Sequence, residues 1–199
     1  MKKLLLATTV MVATAASAAS ADPYNNSNDS ALTGGYIGVL GGYTSTDTES
    51  SVAGFSPDVT GGDYGVFVGY KLDHYLEDSL GINAAIEAHY AWSNADDTEA
   101  GVELEKDNEW GVSFRPGISI SETINPYGII GYKQAEFEAS AGPFVGEETY
   151  DGLELGIGTE LVAYGDLGFR VEYAHTWYGE EDGIEPDEDT LRAGVAYHF

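Results

Sequence analysis

The chain ends TLRAGVAYHF, Thr190 to Phe199, and the fold turns on how that stretch is read. Leu191, Ala193, Val195, Tyr197 and Phe199 alternate with Arg192, Gly194, Ala196 and His198. Period-two alternation makes a strand with one apolar and one polar face. In a soluble protein the apolar face turns inward and the polar face meets water. Two features resist that arrangement. A chain poor in basic residues places an arginine in mid-strand, and its last residue is an exposed aromatic.

Segments of the same kind recur along the sequence. Eight stretches of about ten residues show alternation rich in Gly, Val, Ile and Tyr: 35–44, 63–72, 82–92, 110–120, 126–137, 152–161, 167–177 and 190–199. A helix is excluded by the spacing of two and by the glycine content, because glycine weakens a helix interior. The connections alternate as well. Residues 45–62, 93–109, 138–151 and 178–189 are long and acidic, whereas 73–81, 121–125 and 162–166 are shorter. Every long connection therefore leaves from one end of the sheet, and an even number of strands returns both termini to the other end. Ten residues match a tilted strand crossing a bilayer, and short turns opposite long loops are the pattern of an outer-membrane barrel. The predicted fold class is all-β, an eight-stranded antiparallel up-and-down transmembrane β-barrel.

The two faces of these segments differ in kind. One parity carries apolar residues such as Val39, Val66, Ile86, Phe114, Ile157, Val171 and Val195. The other carries glycines together with Leu40, Phe67, Lys71, Glu87, His89, Arg115, Glu154, Glu160, Arg170, Glu172, Arg192 and His198. Alternation is broken in the fifth segment, where Ile130 and Tyr132 are placed outward and Lys133 inward. Of the six Lys and Arg after Lys3, all but Lys106 fall on the polar parity. A soluble sandwich would scatter such scarce cations over its surface; a narrow polar lumen gathers them and pairs them with glutamates. The expected partners of Arg115 and Arg170 are Glu87, Glu160 and Glu172, with Glu160 and Arg170 as the first pair to test. Trp92, Trp110 and Trp177 lie at the ends nearest the long connections, and Tyr70, Tyr197 and Phe199 at the opposite ends. These two groups read as aromatic girdles at two interfaces. The soluble alternative, a lipocalin-like barrel, would have to hold nearly all these rings inside eight strands, which leave an interior only just filled by side chains.

The N-terminus fits export. Lys2 and Lys3 precede Leu4-Leu5-Leu6, and Ala19-Ser20-Ala21 supplies the small-x-small site of a signal peptidase. Residues 1–21 are read as a signal peptide rather than a retained anchor, and the polar, turn-rich stretch 22–33 as a flexible periplasmic segment. The barrel domain then occupies 34–199. There is no cysteine, so disulfides contribute nothing to stability. Disorder is excluded by patterned blocks in which 26 Gly accompany 14 Tyr, 7 Phe and 3 Trp. The formal charge of −26 argues against nucleic acid as a partner.

The stretches GYIGVLGGY (35–43), GYKL (69–72), AIEAHYAW (85–92), RVEYAHTW (170–177) and GVAYHF (194–199) together resemble the small eight-stranded outer-membrane barrels. These include the OmpA transmembrane domain and its OmpX-like and opacity-type relatives, and the resemblance spans 34–199. It implies the outer membrane of a Gram-negative bacterium, with N- and C-termini in the periplasm. It also implies that the terminal Tyr197-x-Phe199 is the signal read by the barrel-assembly machinery. The inward ion-pair network of the OmpA type falls by local motif on Glu87, Arg115, Glu160 and Arg170, and the wider lumen set adds Lys133, Glu154, Glu172 and Arg192. The peptidoglycan-binding domain of full-length OmpA has no counterpart in 34–199.

The functional expectation is a non-enzymatic barrel with a structural or surface role, no wide pore and no cofactor. Outer-membrane lipid and lipopolysaccharide are its partners. A lipid A-modifying enzyme is the alternative, since some eight-stranded barrels acylate or deacylate lipid A. That chemistry needs a serine, a histidine base and an acid near the outer interface. His175 is the mature histidine placed there, but Trp177 occupies the position where the deacylase pattern has serine; His89 and His198 read as lumen residues and His74 as a turn residue. A narrow porin is the other alternative, set against a lumen already holding Phe67 and Lys71. The long connections carry three, seven, four and seven acids in chain order against one lysine, Lys106. Solubility accounts for such charge; divalent cations bridging the loops to lipopolysaccharide phosphates are the sharper expectation, without an EF-hand spacing.

Overall fold

The computed structural model describes residues 33–50, 58–77, 80–99, 102–120, 123–141, 144–163, 166–179 and 184–199. The expected signal peptide, and the 22–33 segment apart from Thr33, lie outside the described residues.

Eight strands follow one another: β1 (Gly34–Ser50), β2 (Asp58–Glu77), β3 (Leu80–Glu99), β4 (Val102–Ser119), β5 (Ile124–Ala141), β6 (Phe144–Ala163), β7 (Leu167–Tyr178) and β8 (Ile184–His198). Each pairs antiparallel with the next, and β8 returns to β1, with Val39 opposite Val195, to close the barrel. Closure leaves no sheet edge along the wall. No helix of the described residues is long and apolar enough to cross a membrane.

The outward parity is apolar and bare. Ile86 is 64% exposed and Val171 55%, whereas the neighbouring Glu87 and Glu172 are 1% and 2% exposed. Ile130 and Tyr132 point outward and Lys133 inward. The core is therefore the lumen, and glycine makes room for its large members. A Cβ on Gly38 would stand 2.1 Å from the Phe67 ring, and one on Gly69 would stand 2.3 Å from the Tyr36 ring. The three tryptophans and Tyr70, Tyr197 and Phe199 are all exposed, at opposite ends of the wall.

The structure corrects the sequence reading in three places. First, the strands run to as many as 20 residues. What read as long loops are mostly paired extensions: β1 and β2 stay paired to Asp47 opposite Asp58, and β3 and β4, across one register shift, to Glu99 opposite Val102. Alternation against lipid was the signal used, and it fades above the membrane because both partners there are polar, although hydrogen bonding continues. Second, Lys106 is not a loop lysine; it is fully buried in the lumen. Register shifts sit between Trp92 and Ala95 and between Lys106 and Asn108. They put Lys106 and Glu109 both inward although they differ in parity. Third, His74 belongs to β2 rather than to a turn.

Candidate functional site: the ionic ladder of the lumen

Because period two sends every second side chain inward, the polar parity of all eight strands meets on the barrel axis. All six Lys and Arg after Lys3 lie there, each no more than 6% exposed. They assemble with carboxylates into three tiers.

In the tier nearest the termini, Lys71 Nζ donates to Glu160 Oε2 at 3.0 Å, and His198 Nε2 lies 2.8 Å from Glu160 Oε1. Beside it, Asn83 donates to Ser119 Oγ, which donates to Asp73 Oδ1. A small, water-sized cavity lined by residues including Lys71, Asn83, Tyr127 and Glu160 separates this tier from the next.

The middle tier is a four-charge ring. Arg170 bonds Glu87 with two nitrogens at 2.6 and 3.1 Å, and its Nε reaches Glu172 at 3.1 Å. Arg115 bridges the same two carboxylates at 2.7 Å to Glu87 and 2.5 Å to Glu172. Tyr36 donates to Glu87 and Tyr127 to Glu172, so the carboxylates are satisfied beyond their ion pairs. The Arg170 guanidinium also lies 3.4 Å from the centroid of the Phe67 ring, a cation–π contact.

The upper tier joins five strands. Lys106 contacts Glu109 at 2.6 Å and Glu188 at 2.5 Å, and Lys133 contacts the same two carboxylates. Arg192 pairs with Glu154 at 2.8 Å, and His89 lies 3.7 Å from Glu109. Glu109, Lys106 and Glu188 sit beyond the membrane-crossing segments, on the extensions. Burial alone would raise the Glu109 and Glu188 carboxyls, but Lys106 and Lys133 hold both below the usual carboxylate range. Level with them Ala135, Phe137, Tyr150 and Tyr178 form an apolar cluster, with Phe137 packed edge-on against both tyrosines.

The expected set Glu87, Arg115, Lys133, Glu154, Glu160, Arg170, Glu172 and Arg192 is thus buried in one lumen, divided between tiers. The expected Glu160–Arg170 contact is not made. The two are neighbours in register, but Arg170 leans away over Gly194, where a Cβ would stand 3.1 Å from its Nε, and reaches Glu87 and Glu172. Glu160 serves Lys71 and His198 instead. Sequence reasoning missed Tyr36, Tyr127, Lys106, Glu109 and Glu188. The tyrosines were legible from parity, since Tyr36 shares it with Gly38 and Leu40. The other three were hidden because they lie in stretches taken for loops. On the outer wall His175 Nδ1 lies 2.9 Å from Asp189 Oδ1, and the Trp177 ring packs edge-on against His175 at 4.3 Å.

A closed barrel with an apolar exterior and a charged interior is inside out relative to a soluble protein, and it defines a transmembrane β-barrel. The chain belongs to the outer membrane protein beta-barrel domain family, whose model matches residues 5–199. Its place is the outer membrane of a Gram-negative bacterium. No curated protein sequence matches the chain. Among solved structures it is similar to Neisserial surface protein A, at 15% identity and a TM-score of 0.57 over 82% of this chain and 97% of that one. It also matches Ail, the attachment invasion locus protein of Yersinia pestis, at 13% identity and a TM-score of 0.44 over 83% and 100% of the two chains. The outer membrane enzyme PagL matches at 18% identity and a TM-score of 0.39 over 79% and 97%.

Proposed function

We propose that this protein is a non-enzymatic, non-conducting barrel that reinforces the outer membrane and displays acidic hairpins on the cell surface, with both termini in the periplasm. The observation that carries the reading is the filled lumen. Three tiers of paired charges and the Phe137–Tyr150–Tyr178 cluster occupy the axis of an eight-stranded barrel, which leaves little room for a channel. Buried pairs of this kind cost most when broken, so the lumen acts as a rigid strut. The lipid-deacylase alternative is weakened by Trp177, which packs on His175 where that chemistry requires a serine hydroxyl. For orientation, the alternation of long hairpins at one end and short turns at the other supports an outward hairpin end.

The reading is tested in planar bilayers and by lipid analysis. Refolded protein is expected to give no steady conductance steps and to leave the acyl chains of added lipid A unchanged. Regular steps would replace the strut by a pore, and loss of an acyl chain would make the protein an enzyme.

A further inference from the structure

Three inward side chains of β2, β3 and β4 stand side by side: register places Lys71 opposite Ala85, and Ala85 opposite Arg115. The middle member is an alanine, so the two cations are separated by no more than a methyl group. Over that methyl lies the cavity between the lower tier and the four-charge ring, with a volume of about 20 Å³. Lys71, Asn83 and Glu160 of the lower tier line it together with Tyr36 and Tyr127 of the ring.

The hydrogen bonds of these groups are incomplete. Lys71 is an ammonium with three N–H groups, and its side chain is 6% exposed. Among the described residues its one acceptor is Glu160 Oε2, so the other N–H groups lack a partner. Asn83 donates through Nδ2 to Ser119, but among the described residues nothing donates to its Oδ1. Tyr36 and Tyr127 each donate to a ring glutamate, and their hydroxyl oxygens keep the capacity to accept. A buried ammonium with unmet N–H groups on the wall of a cavity points to an occupant, because buried polar groups are nearly always satisfied.

Charge and size select that occupant. Each lining cation already has a carboxylate: Lys71 has Glu160, and Arg115 and Arg170 share Glu87 and Glu172. An anion would add a buried charge without a counterion, and a metal cation would face three positive groups. A hydrocarbon group would leave the ammonium unsatisfied. Water both donates and accepts, and it needs roughly 10–15 Å³ and two to four polar partners.

We infer that this cavity is a structural water site. The water accepts an N–H of Lys71 and donates to Asn83 Oδ1 and to a tyrosine hydroxyl oxygen, which joins the lower tier to the four-charge ring as one hydrogen-bonded unit.

Crystals of the refolded protein grown with bromide test the occupant directly. We expect a density peak within hydrogen-bond distance of Lys71 Nζ that carries no anomalous signal. An anomalous peak there makes the occupant a halide, and an empty cavity makes the gap dry; either result overturns the inference. Thermal melting in lipid vesicles gives a second reading that needs no crystal. Ala85→Val fills the gap with hydrocarbon and displaces the water. In the parent this should lower the melting temperature. In Lys71→Met, which has no N–H groups left to satisfy, the same change should lower it at most about half as far. A dry cavity gains from being filled, so a rise in both backgrounds overturns the inference. So does an equal fall in both, the mark of steric crowding rather than lost hydration. Heat-dependent gel shifts show whether each variant folds; if Lys71→Met does not, the density in the cavity decides.

Discussion

Arg170 illustrates what a single lumen residue is held by. Its guanidinium meets two carboxylates and a phenylalanine face, and nothing around it is bulk water. Removing one member of a buried pair leaves a charge uncompensated, typically at about 3–5 kcal/mol, whereas an apolar pair of similar volume can be nearly neutral. The geometry separates two candidate partners. Glu87→Gln and Arg170→Met should be non-additive by more than about 1 kcal/mol, while Glu160→Gln and Arg170→Met should add within about 0.5 kcal/mol. Urea unfolding from lipid vesicles gives both cycles. Coupling to Glu160 as strong as to Glu87 would contradict the tier arrangement. A complementary test lies on the other face, where Val171→Arg should cost about 2–4 kcal/mol by placing a cation in lipid. Equal stability of Val171→Arg and the parent would mean that this face does not meet lipid.

At the scale of the strand, the sequence was legible wherever lipid stood on one side. Val66 to Tyr70, Ile86 to Trp92 and Leu191 to Phe199 declare face, register parity and girdle position, because only there does apolar alternate with polar. The extensions of β4 and β6 carry exposed acids such as Glu105, Asp107, Glu147 and Glu148, so their periodicity was lost to a hydropathy reading. The register shifts at Trp92/Ala95 and Lys106/Asn108 then turn Lys106, read as a loop lysine, into the lumen. Pair identity was illegible for a different reason: long arginine side chains cross the lumen, and contact there is set by which inward neighbours are glycine. The extensions have their own stability dependence. The folded carboxyls of Glu109 and Glu188 lie below their unfolded values, so the stabilisation from Lys106 and Lys133 is complete above the unfolded carboxylate pKa, about 4.5, and is lost as pH falls through the folded values. Protection from hydrogen exchange, relative to the intrinsic rate at each pH, should therefore be high at the upper ends of β4 and β8 at pH 7 and should fall as pH drops below the unfolded carboxylate value, ahead of the membrane-crossing segments. Simultaneous loosening of both regions would show that the upper tier does not hold the extensions.

Over the whole molecule, charge is sorted by side. The six basic residues after Lys3 pair within the lumen, whereas described acids such as Glu105, Asp107, Glu147, Glu148 and Asp151 are exposed. Proteolysis reads this sorting directly. The folded barrel should resist trypsin, because its lysines and arginines are enclosed, yet yield to a glutamate-specific protease, whereas boiled protein should be cut by both. Trypsin fragments from folded protein would place at least one cation outside. The same sorting bears on the expected role of divalent cations. Strand register sets Glu138 directly opposite Glu105 on one side and Glu147 on the other, and like charges facing across strands are destabilising. Monovalent salt can only screen this repulsion, over a Debye length of about 8 Å at physiological strength. Ca²⁺ can in addition share carboxylate oxygens between hairpins, with the near-millimolar affinity of extracellular sites. We therefore expect millimolar Ca²⁺ to raise the melting temperature, or to slow cleavage by the glutamate-specific protease, more than NaCl of equal ionic strength. The comparison is made in vesicles of uncharged headgroup, so that lipid phosphates do not compete for the ion. If the two salts act alike, the outer acids are screened rather than bridged, and repulsion between hairpins is simply tolerated by a barrel whose strength lies in its lumen.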